Sequence, residues 1–152
     1  MMALFVSALV AVGFGYLAVD DARTQQVVVS HARAVTAVAL VGLGAVGLAS
    51  TDWPALLTAT LGAGLVVAIQ LVPYLIQRRR GEDMIGRADV RLALPFGWTL
   101  GYHGFGFVLV GFATALLGGL AYSILLRRRR IPFVPFLTMG LVIGLAWSTT
   151  TP

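Results

Sequence analysis

The sequence predicts an all-α membrane protein, a bundle of about six transmembrane helices in one polytopic domain over residues 1–152, with both termini outside. Hydrophobic residues make up 59% of the chain and charged residues only 11%. About a quarter of the residues of an average soluble domain are charged. A chain this apolar cannot cover its surface with polar groups, so we expect lipid to be its main solvent.

Five apolar runs follow one another along the chain. A helix needs about 20 apolar residues, and no fewer than about 17, to cross the hydrocarbon core of a bilayer. Apolar runs occupy residues 1–19, 34–50, 55–76, 90–126 and 131–147. The fourth run is too long for one helix, and Gly101-Tyr102-His103-Gly104 divides it into a short span and a longer one. We therefore predict six helices and five short loops.

The arginines indicate the orientation, because all eleven basic residues are arginine and they fall in or beside alternate loops. They are Arg23 and Arg33 at the first loop, Arg78, Arg79, Arg80, Arg87 and Arg91 at the third, and Arg127–Arg130 in the fifth. The second and fourth loops have none. Basic loops stay in the cytoplasm, so we expect a cell-membrane protein with its odd-numbered loops on the cytoplasmic side.

Pairs of glycines one helical turn apart occur twice, as Gly97-xxx-Gly101 and Gly140-xxx-Gly144. Small residues at this spacing let helices approach closely in lipid. We expect both pairs to serve ordinary helix packing.

Four patterns in the sequence favour no special chemistry. Met1–Val19 lacks the basic start and the small-residue cleavage site of a signal peptide, so we expect a retained first span. Gly42–Gly47 matches a dinucleotide-binding pattern but lies inside an apolar run. His31 and His103 fall on opposite sides of the predicted membrane, and no ligand cluster with metal spacing occurs. The arginine runs are interpreted as topology determinants with some lipid-headgroup contact, not as a nucleic-acid site.

Three of the six acidic residues adjoin apolar helices at the cytoplasmic boundary: Asp20, Asp21 and Asp89. Asp52, on the outer side, is expected to be a solvated helix start, and Asp89 could simply cap the fourth helix. Asp20 and Asp21 could mark the end of the first helix, but a carboxylate there faces the negative end of the helix dipole. Such an acid needs a partner, for which Arg23 is a candidate, or a function.

A pair formed by Asp21 and Asp89 would have a definite chemistry. Two carboxylates in one small site do not both ionise easily, so one retains a proton while the other is a base. The base can take a proton from water that attacks a peptide carbonyl, and the acid can polarise that carbonyl and protonate the leaving amine. Both aspartates lie at the same predicted membrane depth, so bundle packing could bring them together.

At these residues the sequence resembles the type IV prepilin peptidases, a family of membrane aspartyl proteases of the GxGD type that includes the preflagellin peptidases. The family motif Gly-x-Gly-Asp-Val-Lys-Leu appears as residues 86–92, Gly-Arg-Ala-Asp-Val-Arg-Leu. Its earlier motif, Asp-x-Arg-x-x-x-Ile-Pro-Asn, begins at Asp21 and selects Asp21 over Asp20, since only Asp21 has arginine two residues on. A third element, Ile-Pro-Phe-Gly-Pro-Phe-Leu, appears at residues 131–137 as Ile-Pro-Phe-Val-Pro-Phe-Leu.

The resemblance implies an endopeptidase that removes the leader of prepilin-like precursors, as in Flp/Tad or archaellum-type systems, at the cytoplasmic face. Asp21 and Asp89 would be catalytic. Their neighbours in the two motifs, Arg23, Gly86, Ala88 and Arg91, would support them. The substrate would carry a hydrophobic N-terminal helix, and no metal or cofactor is implied. Larger members carry a cysteine-bearing segment and methylate the product; this chain has no cysteine, so we expect peptidase activity alone.

Three departures from the family pattern leave an inactive paralogue as an alternative. Ala88 replaces the glycine before Asp89, Val28-Val29 replaces Pro-Asn, and Val134 replaces a glycine. Alanine at position 88 is compatible with activity if the backbone there does not need a positive φ. A second alternative is a non-catalytic membrane subunit or a small proton-coupled transporter that uses the same aspartates.

The predicted orientation can be tested by labelling. A cysteine introduced at Asp83 should resist impermeant thiol reagents in intact cells, because the third loop is cytoplasmic, whereas a cysteine at Asp52 should react. The opposite labelling pattern would reverse the orientation and put the aspartates on the wrong side for leader cleavage.

Overall fold

A computed structural model of the protein describes residues 1–24, 27–80, 87–126 and 132–150. All regular structure in these ranges is helical, which confirms the predicted all-α class. The helices are α1 (Met2–Thr24), α2 (Val29–Ala49), α3 (Trp53–Arg80), α4 (Arg87–His103), α5 (Phe105–Leu126) and α6 (Val134–Thr150). Helix α2 contains a π-helical segment at Val38–Gly42.

Four of the helices, α1, α2, α3 and α5, are long and apolar enough to cross a membrane. Helix α6 is apolar but has only 17 residues. Two helices extend beyond the predicted apolar runs: α2 begins at Val29 and not near Ala34, and α3 continues to Arg80 and not to Ile76. Helical structure continues into polar residues because the backbone bonds of a helix do not require an apolar side chain.

Helix α4 is the centre of the bundle. Leu92, Ala93, Phe96 and Leu100 are fully buried, and α4 contacts all five other helices. The buried cluster around it includes residues from every helix. Because protein surrounds α4 on most sides, α4 does not need the apolar surface of a lipid-facing helix. Its charged first turns therefore leave it outside the set of helices apolar enough to be candidate spans.

Glycines allow α3 and α4 to approach closely. A Cβ on Gly97 would lie 2.5 Å from the carbonyl oxygen of Gly62, and a Cβ on Gly101 would lie 2.5 Å from that of Thr58. Gly140 packs in the same way against the Gly111 backbone, joining α6 to α5. The packing role predicted for the small-residue repeats is confirmed.

The tight turns after α2 and after α4 have identifiable causes. Gly104, with φ of 140°, ends α4, and its N–H donates to the carbonyl oxygens of Leu100 and Gly101 at 3.2 and 3.1 Å. This conformation favours glycine. At the other turn, Oδ1 of exposed Asp52 accepts a hydrogen bond of 3.2 Å from the N–H of Ala55 at the start of α3. The interpretation of Asp52 as a solvated helix start is confirmed.

Replacement of Gly97 by alanine should destabilise the bundle by about 1–3 kcal/mol, because the new methyl group meets backbone that cannot rotate away. The matched control is Gly64→Ala on α3, where a Cβ meets nothing within 4 Å. That change should leave stability unchanged or raise it by up to about 1 kcal/mol. Thermal unfolding in detergent measures both variants, and equal effects would contradict the close packing of α3 and α4.

Candidate functional site

Asp21 lies in the last turns of α1 and is 7% exposed. Its Oδ2 accepts a hydrogen bond of 3.1 Å from the backbone N–H of Val134, and this bond is buried. The bond joins the end of α1 to the start of α6, across 113 residues of sequence. A hydrogen bond to a charged group contributes about 1.5–3 kcal/mol, so Asp21 also fixes α1 against α6.

The start of α6 explains why this N–H is available. Val134 is the first residue of the helix, Pro135 has no N–H, and the N–H groups of Phe136 and Leu137 both donate to the carbonyl oxygen of Phe133 at 3.1 Å. The Val134 N–H therefore has no partner within its own helix. The Asp21 carboxylate also faces the positive end of the α6 dipole. This favourable interaction offsets the unfavourable one with the negative end of the α1 dipole.

Arg23 was the expected partner of Asp21, and the structure gives Asp21 a different one. Arg23 is exposed at the end of α1, and within the residues that the structure describes no ion pair joins it to Asp21. Asp20 differs from its neighbour. It is half-buried, and its carbonyl oxygen accepts a hydrogen bond of 2.8 Å from Thr24. Successive residues of a helix point about 100° apart, so Asp20 does not share the buried direction of Asp21.

Two contacts fix the register between α1 and α4. Near the start of α1, Oγ of Ser7 lies 2.8 Å from Nε2 of His103, at the end of α4. Further along, the rings of Phe14 and Phe96 meet edge to face, with centroids 6.4 Å apart. The second contact is seven residues later on α1 and seven residues earlier on α4. The two helices therefore run antiparallel with a seven-residue repeat.

On a straight helix, one further step of the same register would bring Asp89 opposite Asp21; Pro95 lies within this step, so the pairing is a prediction for a helix that Pro95 does not turn. Seven residues complete almost two turns, about 10.5 Å along the axis with a lag of about 20°, so the contacting face is preserved. Leu17 and Ala93, each one turn from its aspartate on the same helix face, are both buried in the core cluster. Asp89 is half-buried in the first turn of α4.

The backbone conformation at Ala88 shows whether this position needs a glycine, which is the residue that the alanine replaces in the resembling motif. Helix α4 begins at Arg87, and Thr51 is the one non-glycine residue with a positive φ in the described ranges. Ala88 is therefore helical, and a glycine is not required there. Asp89 lies in the first turn of this helix, where a carboxylate can accept the free N–H groups of the helix start, so its interpretation as a cap stays a prediction. Gly86 lies outside the described residues.

The two histidines lie near opposite ends of α1. His103 contacts Ser7, whereas the ring of exposed His31 packs against Tyr16 at a centroid distance of 5.2 Å. Among the described residues, no group of three or more His, Cys, Asp or Glu side chains could hold a metal ion.

The sequence interpretation did not include the residues that set the register, although a signal for them was present. Ser7, Phe14 and Asp21 are spaced by seven residues, and so are Asp89, Phe96 and His103 on the other helix. The Val134 N–H carried no such signal, because it depends on where α6 begins.

In comparisons with protein-family models, curated proteins and solved structures, no match to this chain is found. The functional argument therefore depends on these residues alone.

The Ala88→Gly variant should change cleavage of a candidate prepilin little and lower stability by up to about 1 kcal/mol, because a helical position gains nothing from glycine. Cleavage rate and thermal stability, compared with the parent, measure both effects. A large gain in rate would mean that alanine at this position weakens the site.

Proposed function

We propose that this protein is a membrane aspartyl endopeptidase that removes the leader of prepilin-like precursors at the cytoplasmic membrane face, without methyltransferase activity. All six helices cross the cell membrane in this proposal, with both termini outside. The end of the bundle that carries Asp21 and Asp89 then faces the cytoplasm, as do the exposed arginines at Arg23, Arg33 and Arg78–Arg80.

The observation that carries the proposal is the register of α1 and α4. The contacts Ser7–His103 and Phe14–Phe96 favour a third pair, Asp21–Asp89, at the end of the bundle where the charged residues lie. Family motifs and register thus select the same two aspartates, although the motifs come from the sequence and the register from packing. Neither of these arguments depends on the other.

The pair can perform acid–base hydrolysis with no further group. The ionised carboxylate removes a proton from water as the water oxygen bonds to the carbonyl carbon of the scissile peptide, and the protonated carboxyl donates its proton to the carbonyl oxygen. When the C–N bond breaks, the amine nitrogen takes a proton from the carboxyl that received it from water, and the other carboxylate takes back a proton from a hydroxyl of the tetrahedral intermediate as its C=O bond re-forms. Both carboxyls thereby return to their starting protonation states, and the pair itself activates the water.

The structure supports the positioning that such a reaction needs. The Val134 N–H holds one oxygen of Asp21, and the second oxygen keeps its lone pairs for water or substrate. Asp89 lies on α4, whose fully buried Leu92 and Ala93 follow within about one turn. In this proposal both carboxylates lie on helices near the membrane boundary, and the scissile bond reaches them while the apolar helix of the substrate lies in the bilayer.

Asp21→Asn and Asp89→Asn should each lower the rate of prepilin cleavage by at least about 100-fold, because each removes one member of an acid–base pair. The amide oxygen that Asp21→Asn introduces can still accept the Val134 N–H, so that variant should remain folded. Incubating each purified variant with a candidate prepilin, and measuring the shortened product, tests this expectation.

Asp20→Asn is the matched control, because it removes the same charge from the neighbouring residue, which is half-buried. This variant should retain most activity. If Asp20 proved essential and Asp21 dispensable, the alignment of the first motif would be wrong by one residue. If all the variants processed the substrate normally, the catalytic residues would lie elsewhere; if the parent protein left the precursor uncut, a transporter or non-catalytic subunit would be the better interpretation.

A further inference from the structure

A groove of about 570 Å³ lies between α2, α3 and α4, apart from the predicted aspartate pair. Its walls are mainly apolar and include Leu40 from α2, Val67 from α3 and Leu94 from α4. Arg33 and Arg91 also line it, and both are exposed. The groove thus combines a long apolar wall with two cationic side chains.

Both arginines belong to the same end of the bundle. Arg33 is in the second turn of α2 and Arg91 in the second turn of α4, and both helices begin at the end where α1 finishes. Within the described ranges, no carboxylate forms an ion pair with Arg33 or Arg91. Two guanidinium groups that share one groove repel each other, and a phosphate matches both through paired N–H donors.

The apolar part of the groove extends into the membrane from these arginines. On α2 the lining runs from Arg33 to Val41, eight residues or about 12 Å along the helix. The π-helical segment Val38–Gly42 contributes Leu40 and Val41 to this wall. A π segment changes the direction in which the following side chains point, and such segments are frequent at functional sites. A chain of methylene groups fits a wall of this length and polarity.

We propose that this groove binds one anionic phospholipid, with its phosphate on Arg33 and Arg91 and an acyl chain along Leu40, Val67 and Leu94. Basic pockets between membrane helices on the cytoplasmic side bind such headgroups. An apolar protein helix would need no arginines at this place. The lipid site does not depend on the peptidase activity.

Native mass spectrometry of the detergent-purified full chain, with phosphatidylglycerol and phosphatidylcholine added in turn, tests the site. The parent should retain one phosphatidylglycerol in preference to phosphatidylcholine. Arg33→Gln combined with Arg91→Gln should weaken phosphatidylglycerol binding by about thirtyfold, since each arginine near a membrane surface contributes about one kilocalorie per mole. The control, Arg79→Gln with Arg80→Gln, removes the same charge from exposed positions outside the groove and should bind as the parent does.

A third variant, Ala37→Trp, fills the groove from an exposed position that lines it and leaves the charge unchanged. It should also lose the bound phosphatidylglycerol. Unchanged binding in the Arg33/Arg91 variant would overturn the proposal, because these arginines would then not attract the lipid. Equal losses in the two double variants would also overturn it, because the attraction would then come from positive charge in general. Displacement of the lipid by millimolar inorganic phosphate alone would also overturn it, because the acyl chain would then contribute nothing.

Discussion

The antiparallel register of α1 and α4 is the constraint on which the proposed site depends. Two contacts set it, a polar one between Ser7 and His103 and an aromatic one between Phe14 and Phe96. A slip by one residue would turn α4 by about 100°. Asp89 would then leave the face that α1 presents. The two contacts lie remote from the aspartates, yet they decide which residue of α4 lies opposite Asp21.

The bond from the Val134 N–H to Asp21 adds a third helix to this arrangement. It explains why a carboxylate is stable at the end of α1, where the dipole of its own helix opposes it: the start of α6 supplies both a donor and a favourable dipole. Pro135 contributes by having no N–H of its own. The third motif therefore has a structural reason, which is to hold the first motif in place.

Much of the fold follows from the sequence because apolar runs and glycine breaks are local properties. The break at Gly104 and the cap at Asp52 were both predictable from short segments. The ends of α2 and α3 were not, since helices continue through charged residues once the interior is packed. Contacts such as Ser7–His103, 96 residues apart, depend on packing of the whole bundle. The backbone conformation at Ala88 was uncertain for the same reason, because it depends on where α4 begins.

The register argument extends from α1 to α3. Gly97 packs against Ala63, and on straight helices a step of seven residues toward the aspartate end would bring Gln70 opposite Val90, the neighbour of Asp89. Gln70 is 5% exposed, and neither amide atom has a hydrogen-bond partner among the described residues. An unsatisfied buried polar group costs about 1–3 kcal/mol, and lipid cannot satisfy it. Among the described residues, Trp98 and Thr99 in the middle of α4 also carry buried polar atoms without a hydrogen-bond partner, so these costs are spread along the α3–α4 interface and are not confined to the first turn of α4.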